Sequence, residues 1–103
     1  MTGYGFHPEA LIDLEEIWEF IRVDSLAAAD LVIEEILAAV RALVPFPGAG
    51  HSRPDLTSRP VRFIQVREYL IAYAPEERSL WVIAVIHGRR NPRIIAALLR
   101  DRE

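Results

Sequence analysis

The sequence predicts an α+β domain: a short N-terminal strand and an antiparallel helical hairpin packed on a mainly antiparallel sheet of three to four strands, with a short C-terminal helix. Three observations carry this. Residues 8–44 show helical apolar periodicity broken once, at Asp24-Ser25. Residues 61–87 hold three short β-branched and aromatic runs separated by turn formers. Asn91-Pro92 then restarts a helical pattern. A chain of 103 residues is read as one domain over 1–103.

Tyr4-Gly5-Phe6 reads as a short edge strand ended by His7-Pro8. Pro8 suits the first turn of a helix, where its missing N–H has no partner to lose. At about 100° per residue, Ala10, Leu11, Leu14, Ile17, Trp18 and Ile21 fall within an arc of about 120° and form a core-facing stripe ending near Arg22. Glu9, Asp13, Glu15, Glu16 and Glu19 take the opposite side. Ile12 and Phe20 interrupt those acids, one four residues before Glu16 and one four after. They are either a partner-binding stripe or ordinary surface hydrophobes touching the second helix.

Asp24-Ser25 starts helix two, which extends from Leu26 to Val44 and must form a hairpin with helix one, since so few residues join them. Its broad face holds Ala29, Val32, Ile33, Ile36, Leu37, Val40, Leu43 and Val44, and its reverse is rich in alanine. Pro45, Pro47 and Gly48 stop it. Gly48 to Pro60 has no period and reads as a loop long enough to raise the question of function.

Three antiparallel strands follow: Val61–Arg67, Tyr69–Ala74 and, after the break Pro75-Glu76-Glu77-Arg78-Ser79, Leu80–His87. In the last, Leu80, Val82, Ala84 and Ile86 point one way while Trp81, Ile83, Val85 and His87 point the other. A strand apolar on both faces belongs inside a sheet covered on both sides. It delivers the chain into His87-Gly88-Arg89-Arg90. The short terminal helix, with Ile94, Ile95, Leu98 and Leu99 on one face, is marginal alone and must dock.

Composition excludes several classes. There are no cysteines, hence no disulfide or thiolate chemistry, which fits a reducing cytoplasm. No apolar run approaches the roughly 20 residues that cross a bilayer, and no membrane partner is expected. Net charge is −3, yet residues 1–50 carry nine acids against two arginines and residues 51–103 ten arginines against six acids. Every basic residue other than histidine is arginine. The basic half falls short of a DNA-binding footprint, so no sequence-specific DNA binding by this chain alone is expected.

The three histidines lie in no metal-ligand spacing; no metal and no cofactor is expected. No Gly-rich phosphate loop and no nucleophile elbow is present. What remains is the basic cluster at the strand ends: Arg62, Arg67, His87, Arg89 and Arg90. Such a set suits phosphodiester chemistry, with His87 as acid or base and arginine neutralising charge. Equally, it is what a solvated strand terminus looks like, His87 being satisfied by a neighbouring backbone group. Convergence depends on strand order.

Together, FHPEALIDLEEIWEFI, Ala28-Ala29, LVPFPGAG, REYLIAYAPE and VIHGRR resemble, in order and spacing, the RelE/ParE superfamily of type II toxin–antitoxin toxins, the ParE branch most closely. The similarity spans nearly the whole chain. It implies a plasmid-stabilization-type toxin neutralised by a co-expressed antitoxin that wraps an extended or helical segment over its grooves, a mode open to sheet edges and apolar helix faces. The ParE branch blocks DNA gyrase by binding and needs no catalytic residue. The ribonuclease branch cleaves messenger RNA on the ribosome with strand-borne Lys, Arg or Glu and often a C-terminal Tyr or His. This chain departs from that pattern: it has no lysine, its last tyrosine is Tyr73, and its terminal helix supplies only arginine and apolar candidates. The resemblance therefore implies a gyrase inhibitor first, with an RNA endonuclease or a toxin of another target as alternatives. Target-binding candidates are Arg67, His87, Arg89, Arg90 and Arg93, of which Arg67, His87 and Arg89 would be catalytic in a ribonuclease. Candidates for the antitoxin surface are Ile12, Phe20, Tyr73 and Trp81.

Overall fold

Helix boundaries fall where side chains accept the N–H groups that a first turn leaves unpaired. The computed structural model describes residues 3–76 and 79–102. They form β1 (Tyr4–Phe6), α1 (Pro8–Arg22), α2 (Leu26–Leu43), a single 3-10 turn (Pro47–Ala49), β2 (His51–Ser52), β3 (Arg62–Val66), β4 (Tyr69–Pro75), β5 (Leu80–His87) and α3 (Pro92–Asp101). The side chains of His7, Ser25 and Asn91 accept from the N–H groups of Glu9, Ala28 and Arg93. The break expected over Pro75–Ser79 includes Glu77 and Arg78, which lie outside the described residues; Pro75 itself belongs to β4.

The sheet is mixed, in the order β1-β5-β4-β3-β2. β3, β4 and β5 make the expected antiparallel meander. β1 runs parallel to the first three residues of β5, and β2 adds a fifth strand against β3. A strand of two residues inside an aperiodic segment leaves no pattern to read. That segment also covers the sheet, because Leu56 is buried in the layer beneath α3.

One face of the sheet carries the hairpin: Ala10 and Leu14 of α1 and Val32, Ile36 and Val40 of α2 pack on Tyr69, Ile71, Tyr73 and Val82. The other face carries α3, whose Ile95 and Leu99 pack against Phe63, Ala72, Ile83 and Ile86. Leu11, expected in the core stripe, is exposed, and Ile94 of α3 is exposed as well. Trp18 is half-buried and donates its Nε1–H to Asp30 on α2 at 2.9 Å.

A bulge in β5 corrects the expected alternation. Ala72 pairs with Ala84 while Tyr73 pairs with Val82, so Ile83 is an extra residue. Beyond it the faces exchange: Leu80, Val82 and Val85 lie on the hairpin side, and Ile83, Ala84 and Ile86 on the α3 side. The bulge also turns backbone groups of β5 toward an edge that β1, ending at Phe6, no longer covers. Two side chains fill that gap. Asp13 accepts the Val85 N–H at 3.0 Å, and Arg102 donates to the Ile83 carbonyl at 3.1 Å. Arg102 also pairs with both Asp13 oxygens, Nη2 lying 2.9 Å from Oδ1, and reaches Glu9 at 3.4 Å. Asp13, expected among the solvent-facing acids, is thus an internal clasp joining α1, β5 and the end of α3.

Candidate functional site

The strand order β5-β4-β3 sets the β3–β4 turn beside the end of β5. The hairpin connection is only two residues, Arg67-Glu68, and this tight geometry demands a left-handed backbone. Arg67 supplies it at φ 55°, the one non-glycine residue with positive φ among those described. A side chain larger than Asn seldom sits there, and the strain is of order 1 kcal/mol or more. The surroundings hold it in three ways. Gln65 Nε2 donates to the Arg67 carbonyl at 2.9 Å, and the Gly88 N–H donates to the Glu68 carbonyl at 2.7 Å. The Arg67 guanidinium forks onto Glu35 of α2, Nε to Oε1 and Nη2 to Oε2, both at 2.8 Å. Hydrogen bonds from Arg67 hold the Glu35 carboxyl below its ordinary value. Because the folded value is the lower one, this pair contributes above the ordinary carboxylate range and is lost as pH falls through the depressed value.

His87, Gly88 and Arg89 complete the corner. His87 faces the hairpin side, its ring edge-on to Tyr69 with centroids 5.7 Å apart, and its Nδ1 accepts the Arg89 N–H at 3.2 Å. Tyr69 is buried, which pushes its phenol above the ordinary value. Next to this corner an open groove of ≈ 380 Å³ is lined by Arg53, Gln65, Arg67, Glu68, Leu70, Gly88 and Arg89. Arg53 forks onto Asp55 at 2.9 and 2.8 Å, whereas the Arg89 guanidinium has no ion pair among the described residues. Arg89 thus offers a forked set of N–H donors to an anion, and Arg53 and Arg67 only the N–H groups left over from their carboxylates. Arg53 belongs to the aperiodic loop of residues 48–60, whose length alone raises the question of function, whereas Gln65 and Glu68 are members that the sequence did not announce; the two-residue gap between apolar runs at Arg67-Glu68 is the available signal for the last.

The remaining candidates scatter. Arg90 lies outside the groove, in a small cleft with Asp13, Glu16 and Leu98. Arg93 is exposed on the first turn of α3. Ile12 and Phe20 stand on the outer side of α1 at 51% and 78% exposure. Tyr73 is 0% exposed, so its place among surface candidates is corrected. Its hydroxyl donates to the Pro47 carbonyl at 2.7 Å and accepts the Gly50 N–H at 2.9 Å, tying the segment after α2 to the sheet. Trp81 is half-buried on the α3 side, beside Gly5, where a Cβ would stand 2.9 Å from the ring. Among the described residues no group of His, Cys, Asp or Glu is disposed to hold a metal, and no helix is long and apolar enough to cross a membrane.

A solved structure described as the chromosomal ParDE TA system from P. aeruginosa shares this fold with a TM-score of 0.66 at 15% identity, covering 84% of this chain and 98% of that chain. No curated protein matches the sequence. The family model described as the ParE toxin of the type II toxin–antitoxin system parDE matches residues 4–92, which span both hairpin helices, the whole sheet and the groove. The chain belongs to the ParE toxin family of type II toxin–antitoxin systems.

Proposed function

We propose that the protein inhibits DNA gyrase by binding, and that a cognate antitoxin neutralises it by covering apolar surface on α1. The observation that carries the reading is family membership over residues 4–92. The corner chemistry is consistent with it. Catalysis on RNA needs uncommitted cationic charge beside a proton donor and acceptor. Of the three residues a ribonuclease would use, Arg67 is forked onto Glu35 and one His87 nitrogen already accepts from backbone, which leaves Arg89 as the one cation of the set with no ion pair among the described residues. Arg89, Arg90 and Arg93 are exposed and are the target-binding candidates. For the antitoxin, Ile12, Phe20 and Val23 offer exposed apolar side chains on or just after α1, the kind of anchor a wrapping segment buries. Trp81 has a smaller exposed part to give.

The test is a supercoiling assay with purified, antitoxin-free protein and gyrase. Inhibition with accumulation of linear DNA is the expected result. Full supercoiling at large molar excess of folded protein would reject the gyrase reading. Messenger RNA cleavage on ribosomes that disappears in His87→Ala would then support the ribonuclease alternative.

A further inference from the structure

We propose that the groove beside the Arg67 turn is a docking site for the sugar–phosphate backbone of duplex DNA, used while gyrase holds that DNA. This inference rests on the gyrase reading and deepens it. The groove is open and is lined by three arginines, with Gln65 and Gly88 beside them and Leu70 the one apolar member. The three ligand classes that arginine serves place different demands on such a surface. A protein partner needs a buried aromatic or aliphatic anchor at the centre of its contact. Leu70 alone does not provide one. Single-stranded RNA needs aromatic faces on which unstacked bases rest. No aromatic ring among the described residues lines the groove; Tyr69, next to Leu70 in the chain, is 5% exposed, and its ring is engaged with His87. A duplex backbone needs only directed N–H donors, which is what this groove holds.

Charge sets the strength of the contact. Arg53 and Arg67 each spend two N–H groups on a carboxylate and keep others free, and Glu68 also lines the groove. Arg89 is the one of the three arginines with no ion pair among the described residues. A site with one free and two partly committed arginines is too weak to hold DNA alone against physiological salt. It adds affinity where another protein already supplies the DNA. The strained turn fits this use, since a left-handed Arg67 fixed by Gln65, Gly88 and Glu35 presents its guanidinium preorganised.

The experiment needs no gyrase, so it fails or succeeds independently of the supercoiling assay. A fluorescein-labelled duplex of about 30 base pairs is titrated with antitoxin-free protein at salt concentrations from about 20 to 150 mM. The expected result is saturable binding at the low end that weakens steeply with salt. Arg89→Ala should weaken it about tenfold at low salt and reduce the log–log salt slope by about one, whereas Arg89→Lys should keep most of the slope. The Arg89 side chain has no bond among the described residues, so these variants should fold, which thermal melting checks. Equal binding by wild type and Arg89→Ala, or no wild-type binding at low salt, overturns the proposal. Tighter binding to a single-stranded RNA of the same length overturns it in favour of RNA.

Discussion

The Tyr73 hydroxyl shows how much a single buried polar atom can organise. Tyr73 lies on the middle strand β4 with no exposed surface, yet its hydroxyl is not idle. It joins the Pro47 carbonyl to the Gly50 N–H, and the Gly50 carbonyl in turn accepts from Arg62 Nη1 at 2.7 Å. Gly50 is obligatory there, because a Cβ would fall 2.5 Å from the Tyr73 oxygen and 3.0 Å from the Phe63 carbonyl. Tyr73→Phe removes one atom and leaves a buried donor and an acceptor unmatched. An expected loss of about 1–3 kcal/mol follows, since orphaned buried groups forfeit their full desolvation cost. Urea denaturation checks it. A midpoint unchanged from wild type would show that water replaces the hydroxyl at no cost. The sequence alone suggested Tyr73 as a binding residue because an aromatic in a strand looks the same whether it faces core or partner.

At the scale of elements, the hairpin, the meander and α3 were legible, because periodicity and capping are local. Ser25 and Asn91 marked helix starts correctly for that reason. What stayed hidden depended on registry between distant segments. The extra residue Ile83 leaves the composition of β5 unchanged but reverses its faces from Ala84 onward. The Asp13–Arg102 clasp joins positions 89 residues apart. A weak local trace of it existed: Asp13 lies three residues after Ala10 and four before Ile17, at the margin of the apolar stripe rather than opposite it. The corner is half legible, since His87, Arg89 and Arg67 stand out in the sequence as a basic cluster at strand ends, but the turn conformation and the Glu35 partner depend on tertiary structure. With side-chain exposures of 9% and 13%, the clasp is largely shielded from solvent. Removing one partner leaves the other charge buried, at a cost of about 3 kcal/mol. Asp13→Ala should therefore lower the melting temperature on the order of 15 °C in a domain of this size. Arg102→Ala in the same background should add little, since the two act as one unit. Calorimetry on both single variants and the double variant decides this, and simple additivity would refute the clasp.

For the whole molecule, these contacts change what C-terminal deletion means. Removing residues 93–103 takes away the exposed Arg93, but it also takes the buried Ile95 and Leu99, the partly buried Leu98 and the Arg102 end of the clasp. Each fully buried aliphatic side chain contributes about 1.5–3 kcal/mol. Ile95 and Leu99 together thus account for about 3–6 kcal/mol, a large share of the roughly 5–15 kcal/mol that keeps a domain folded. Deletion also uncovers Phe63, Ala72, Ile83 and Ile86 as one apolar face. The truncated chain should therefore bind a hydrophobic dye strongly and unfold without a sharp transition. Loss of toxicity on truncation would then report unfolding rather than removal of a target surface. Arg93→Ala separates the two effects. It leaves the core and the clasp intact and should melt within about 0.5 kcal/mol of wild type, as exposed substitutions generally do. If that variant inhibits gyrase as well as wild type, Arg93 is no part of the target surface. A truncated protein that melts cooperatively near the wild-type temperature would instead show that α3 is dispensable to the fold, and deletion would become a fair test of the surface.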